Sequence, residues 1–180
     1  GIEIDTNQFF EVEDFVKSYD ANGINAPINC DFLHRESEFT ETCTSIINNK
    51  VTILTGASGI GKTRLALEVC RQQDNGKTKV FCVKSNGNFL YEDIKYYISD
   101  SGKYLIFFDD VNMVVSLDNV LDTILTLPTD FDVKLLFSVR DYAKERVIDA
   151  VSRYVLPNII EIGRFKDDEI KDILKSDLAI

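Results

Sequence analysis

Apolar and polar positions along this chain change period twice. Between residues 7 and 19 the apolar residues Phe9, Val12, Phe15, Val16 and Tyr19 recur at helical spacing, which predicts a helix there. Asp20 to Asn29 carries Asn22-Gly23 and Pro27 and reads as a linker or loop. A second helix is predicted from Glu36 to Asn48, burying Phe39, Cys43, Ile46 and Ile47. From there short apolar runs alternate with helical patterns. Strands are expected at 51–55, 78–83, 104–108, 133–138 and 159–162. Helices are expected at 61–73, 89–99, 116–126, 141–152 and 167–176. Continuous apolar strands separated by helices predict an α/β fold whose parallel sheet is covered on both faces.

The first strand–helix junction carries candidate chemistry. Gly56-Ala57-Ser58-Gly59-Ile60-Gly61-Lys62-Thr63 matches G-x-x-x-x-G-K-[ST], the phosphate-cradling P-loop. It follows the β-branched run Val51–Thr55 and opens the helix-forming run that starts at Arg64. Glycines let successive backbone N–H groups turn inward as an anion nest, and the loop delivers phosphate to a helix N-terminus. Lys62 would reach the β- and γ-phosphates, and the Thr63 hydroxyl would ligate Mg²⁺. Residues 56–64 are therefore the predicted nucleotide cradle.

Two further strands end in polar residues. Tyr104 to Phe108 is apolar and runs into Asp109-Asp110, the form of a Walker B element. Asp109 would hold Mg²⁺, and Asp110 would orient the attacking water. The adjacent carboxylates would repel a triphosphate without a cation, so metal dependence is expected. Lys134 to Phe137 leads into Ser138-Val139-Arg140. On the same sheet edge Arg140 would reach the γ-phosphate and neutralise charge there; the plainer alternative is an ion pair with Asp141 or Glu145.

Composition narrows the partners. The 180 residues carry 30 acidic against 20 basic side chains, for a net charge of −10. Such a surface has no general attraction for nucleic acid or anionic membranes. No apolar run approaches a membrane span, and no signal peptide is visible. Cys30, Cys43, Cys70 and Cys82 lack C-x-x-C spacing and His34 is the only histidine. Zinc is not expected, and the cysteines read as reduced thiols of a cytoplasmic protein. Tyr96-Tyr97 reads as helix packing rather than base stacking, and Asp167-Asp168-Glu169 as favourable charge at a helix N-terminus.

In order, these segments resemble a STAND NTPase, the signal-transduction branch that includes NB-ARC and NACHT modules. Phe32-Leu33-His34-Arg35-Glu36-Ser37-Glu38 is similar to that family's apolar-Gly-Arg-Glu-x-Glu motif, with His34 in place of glycine. The P-loop and Phe107-Phe108-Asp109-Asp110 follow. Leu136-Phe137-Ser138-Val139-Arg140 is similar to the family's sensor strand, with Ser-Val in place of a threonine pair. Ile160 to Ile162 and Asp168 to Ile170 resemble the strand and acidic helix after it. Arg140-Asp141-Tyr142-Ala143 resembles bacterial STAND proteins of antiviral defence. The resemblance implies a three-layer α/β/α sandwich with a five-stranded parallel sheet in the order 5-1-4-3-2. It places Arg35 beside the nucleotide and makes Arg140 the γ-phosphate sensor.

The leading expectation is an ATP/ADP switch that needs Mg²⁺, hydrolyses slowly and self-associates in the full-length protein. Residues 1–30 would be an N-terminal helix and linker, and 31–180 the nucleotide-binding core. Gly1 in place of Met and the absence of lid, winged-helix and repeat regions point to a piece of a longer multidomain protein. The alternatives are a mechanochemical or loader ATPase, with Arg146, Arg153 or Arg164 offered to a neighbour, a nucleotide-loaded interaction module without turnover, and a small-molecule kinase. No N-K-x-D or T-K-x-D motif follows the P-loop, which agrees with adenine preference.

Overall fold

The computed structural model describes residues 7–21, 35–164 and 166–178. The predicted linker after Ala21, the residues Cys30 and Phe32 to His34, and the expected boundary at 30/31 lie outside these residues. In chain order the strands are β1 (Phe9–Phe10), β2 (Val51–Thr55), β3 (Thr78–Lys84), β4 (Gly102–Asp109), β5 (Phe131–Ser138) and β6 (Asn158–Glu161). The helices are α1 (Val12–Ala21), α2 (Glu36–Asn48), α3 (Lys62–Gln73), α4 (Tyr91–Tyr97), α5 (Leu117–Leu125), α6 (Lys144–Ser152) and α7 (Asp167–Leu178). Short 3-10 turns at Val111–Met113 and Asp141–Ala143 precede α5 and α6.

All six strands form one sheet in the order β1-β3-β4-β5-β2-β6. The five strands from residue 51 onward pair in parallel. Numbered among themselves, they follow the expected 5-1-4-3-2. The strand not anticipated is β1, antiparallel on the β3 edge through Phe9↔Val83 and Phe10↔Cys82. This corrects the helix expected over 7–19: residues 9 and 10 are extended and the helix starts at Val12. Gln8 explains the difference. Its carbonyl accepts Lys84 N–H at 3.0 Å, its Oε1 accepts Asn86 N–H at 3.1 Å, and its side chain is buried. Those bonds tie the segment to a sheet edge before the helical stripe begins.

Strand alternation sends side chains to two cores. Ile53, Ile106, Phe108, Leu135 and Phe137 face one side and pack with α4, α5 and α6 through Ile94, Leu121, Ile124, Val147 and Val151. Leu54, Leu105, Phe107 and Leu136 face the other, against α1, α2 and α3 through Val12, Phe15, Val16, Ile46, Leu65 and Val69. Helix α1 is therefore part of the core. In α2 the buried positions are Thr42, Ser45 and Ile46, whereas Ile47, expected inside, is two-thirds exposed. The helix is turned so that Ser45 Oγ meets Thr52 Oγ1 at 2.6 Å and accepts from Asn158 Nδ2 at 2.8 Å. Polar contacts thus seat α2 on the P-loop strand. Tyr97 packs as expected, stacked on Phe9 with centroids 4.9 Å apart, but its neighbour Tyr96 is exposed. Helix α7 opens on Asp167, and Lys166 N–H donates to Glu169 Oε2 at 2.6 Å, closing that end.

Candidate nucleotide-binding site

Sheet order decides which side chains meet. Strand β5 lies between β4 and β2, with Leu54 opposite Ser138 and Phe108 opposite Phe137. The P-loop after β2, the two acids at the end of β4 and Ser138 at the end of β5 therefore share the C-terminal edge, where open α/β sheets place their ligands.

Gly56, Gly59 and Gly61 all adopt positive φ, at 145°, 76° and 101°. At Gly56 a Cβ would lie 2.7 Å from the Ile162 carbonyl oxygen. Only glycine lets the loop leave β2 beside the end of β6, where Ile162 N–H donates to the Thr55 carbonyl at 2.8 Å. A Cβ at Gly59 or Gly61 would meet nothing within 4 Å among the described residues. Gly61 precedes α3, and among the described residues no side chain caps that helix. The first N–H groups of α3 thus have no intrahelical acceptor, and the positive end of the dipole faces the loop. Ala57, Ser58 and Ile60 complete the turn, with Ile60 N–H donating to Ala57 O at 3.3 Å.

Lys62 is buried and folds over this loop. Its Nζ donates to the carbonyls of Gly56 at 2.6 Å and Ala57 at 2.9 Å. Burial lowers its pKa, Arg140 acts in the same sense, and Asp141, Asp110 and Asp109 oppose them. Arg35 is buried against the loop, donating from Nη2 to the Ile60 carbonyl at 3.0 Å and from Nη1 to Glu38 at 3.3 Å. The guanidinium of Arg64 donates to Glu68 at 3.3 Å along α3.

The acids are held in different ways. Asp109 is buried, and its Oδ1 accepts from Thr63 Oγ1 at 2.8 Å and from Ser138 Oγ at 3.0 Å. Burial raises its pKa and the Asp110 charge adds to the rise, while the two hydroxyl bonds lower it. Asp110 sits in the left-handed region at φ 45°, and its N–H donates to Ser138 Oγ at 2.9 Å. Asp is among the few residues that tolerate this conformation. Its carboxylate pairs with Arg140 Nη2 at 3.3 Å, both groups partly exposed. That hydrogen bond raises the pKa of Arg140. The ion pairs expected as the plainer role of Arg140, with Asp141 or Glu145, are replaced by this one with Asp110.

The donor set suits a hard cation beside phosphate. Thr63 and Asp109 bring two oxygens to one point, and among the described residues no group of three His, Cys, Asp or Glu side chains forms a cage. Mg²⁺ is typically bound this way, by one or two protein oxygens with water and phosphate completing its shell.

Two participants gain their roles only from the fold. Ser138 stands in the sensor-strand resemblance as a hydroxyl at a strand end; sheet order makes it the bridge between Asp109 and Asp110. Asn112 has no signal at all, yet it touches the segment that carries Arg140.

Residues 33–179 match the family described as novel STAND NTPase 3. No curated protein matches the chain in sequence. Among solved structures, it is similar to the Aeropyrum pernix ORC1 protein in complex with DNA. The TM-score is 0.66 at 16% identity, over 98% of this chain and 55% of that one. It is likewise similar to a closed-state reconstruction of Hsp104 with ATPγS and FITC casein, with TM-score 0.65 and 16% identity over 94% of this chain and 32% of that one. The Thermotoga maritima RuvB Holliday junction branch migration motor follows, at TM-score 0.57 and 15% identity over 80% of this chain and 50% of that one. The chain thus spans between about a third and just over half of these structures. At such identities the likeness concerns the fold. By the family match, the chain belongs to the novel STAND NTPase 3 family.

Proposed function

We propose that this STAND-family domain is an ATP-binding switch that hydrolyses its nucleotide slowly. Residues 56–64 and Arg35 hold the nucleotide, with Lys62 at the β- and γ-phosphates. Thr63 and Asp109 would hold Mg²⁺, which would supply neutralisation of phosphate charge when bound. Asp110 orients the attacking water and takes its proton as the new P–O bond forms and the bond to the leaving ADP oxygen breaks.

The observation that carries the switch is the 3.3 Å pairing of Arg140 with Asp110. ATP presents Arg140 with a second anion, the γ-phosphate, and ADP does not. A contact available with one ligand only is what allows a nucleotide to bias two conformations. Transfer of Arg140 to the γ-phosphate would also free the carboxylate that acts on water. ADP then favours a closed monomer, and ATP an open form that self-associates in the full-length protein. The resemblance at Arg140-Asp141-Tyr142-Ala143 supports a role in bacterial antiviral defence, in the cytoplasm. No helix among the described residues is long and apolar enough to cross a membrane.

The rival reading, a mechanochemical or loader ATPase, is favoured by the fold similarities. It needs a cation offered to a neighbouring copy. Two of its candidates are engaged within this chain, Arg146 with the Asn112 carbonyl at 3.2 Å and Arg153 with Asp118 at 3.2 Å.

Calorimetric titration with ATP, ADP and GTP, with and without Mg²⁺, together with phosphate release, tests the proposal. Adenine-selective, Mg²⁺-dependent binding with slow turnover is expected. Rapid turnover by the isolated chain would favour a self-sufficient ATPase, and equal affinity for ATP and ADP would remove the switch.

A further inference from the structure

The turn after the acid strand is fastened to the Arg140 segment by one residue. Asn112 lies two positions beyond Asp110, half-buried in the Val111–Met113 turn. That turn is itself closed by Met113 N–H donating to the Asp110 carbonyl at 2.8 Å. Asn112 makes three bonds, each to a different residue of the opposing segment. Its Oδ1 accepts the Arg140 backbone N–H at 3.3 Å, its Nδ2 donates to the Tyr142 hydroxyl at 3.1 Å, and its carbonyl accepts Arg146 Nη2 at 3.2 Å. The amide orientation is fixed by chemistry, because a backbone N–H can only donate and must face Oδ1.

We infer that Asn112 is the positioning residue that fixes Arg140 relative to Asp110. Arg140 carries its charge at the end of a long flexible stem, so where the guanidinium can reach depends on where its backbone is pinned. Asn112 pins that backbone from the same turn that holds Asp110 in its left-handed conformation. The sensor cation and the water-orienting carboxylate thus share one frame. Each bond is individually modest at a partly exposed site; their value is geometric. The inference rests on the switch reading, in which Arg140 tells ATP from ADP.

The test is a double-mutant cycle on the full chain, read as the ratio of ADP to ATP dissociation constants with Mg²⁺ by calorimetry. Asn112→Ala is expected to reduce the ATP preference roughly fivefold while leaving ADP affinity nearly unchanged. In an Arg140→Ala background it is expected to change the ratio no further, because it acts through Arg140. Tyr142→Phe keeps the Oδ1 anchor and is expected to retain most of the preference. Asn112→Leu, which keeps the volume, gives the same readout if the alanine variant folds poorly. An unchanged ratio in Asn112→Ala, or an equal loss with and without Arg140, would overturn the inference. If Arg140→Ala itself leaves the ratio unchanged, the switch reading fails first, and the two failures are told apart.

Discussion

Thr63 Oγ1 donates a 2.8 Å hydrogen bond to Asp109 Oδ1 across 46 residues of sequence. One residue opens the helix after the P-loop, and the other ends a strand two places away in the sheet. Their contact joins the phosphate cradle to the acidic edge. It also keeps a buried carboxylate where a cation would have to sit.

That carboxylate is costly to the protein without ligands. Burial and the Asp110 charge raise the Asp109 pKa, so folding disfavours its charged form relative to the unfolded chain. Charging it therefore lowers stability once pH rises through the native pKa, and the penalty is absent below the unfolded value. Asp109→Asn should raise the melting temperature of the ligand-free protein at neutral pH by a few degrees, on the order of 2–4 °C. The gain should shrink as pH falls into the carboxylate range, and Mg²⁺ dependence of nucleotide binding should disappear. Melting curves from acid to neutral pH check the sign; a lower melting temperature at neutral pH would show that the two hydroxyl bonds outweigh burial.

Lys62→Ala should weaken both ATP and ADP by about 100-fold or more, since a buried cation over the loop is lost. Calorimetry reads this directly. Unchanged affinity would remove the P-loop assignment.

Asp110→Asn should leave nucleotide affinity almost intact and lower phosphate release by roughly 10²–10⁴-fold. Asparagine tolerates the left-handed backbone at this position as well as aspartate does, so the turn should survive the change. Equal hydrolysis rates would move the water-orienting role to another group.

Arg140→Ala should weaken ATP roughly tenfold more than ADP, the scale of one charge-assisted hydrogen bond. A similar loss for both nucleotides would leave Arg140 as a partner of Asp110 only.

Much of this architecture was legible in the sequence because parallel strands buried on both faces leave continuous apolar runs, as in Leu105 to Phe108 and Leu135 to Phe137. The P-loop was legible because its glycines answer to backbone geometry, shown at Gly56 by the approach of the Ile162 carbonyl. What was hidden depends on contacts distant in sequence. Phe9 fits a helical stripe as well as a strand, and Gln8 decides between them through bonds to Lys84 and Asn86. Ile47 looked buried by spacing, but the Ser45–Thr52 bond sets the rotation of α2. Ser138 became a bridge only through strand order, and Asn112 only through the packing of two turns.

The two-residue strand β1 has a consequence for handling this protein. Gln8 and Phe9 cover one margin of the sheet, and Phe9 stacks on Tyr97 and meets Phe81 edge-on. A shortened chain starting at residue 31 would remove that cover from β3, together with the α1 side chains Val12, Phe15 and Val16 of the core. The bared margin would offer unpaired backbone groups flanked by Phe81 to any other copy. Loss of this N-terminal segment would then show itself as precipitation.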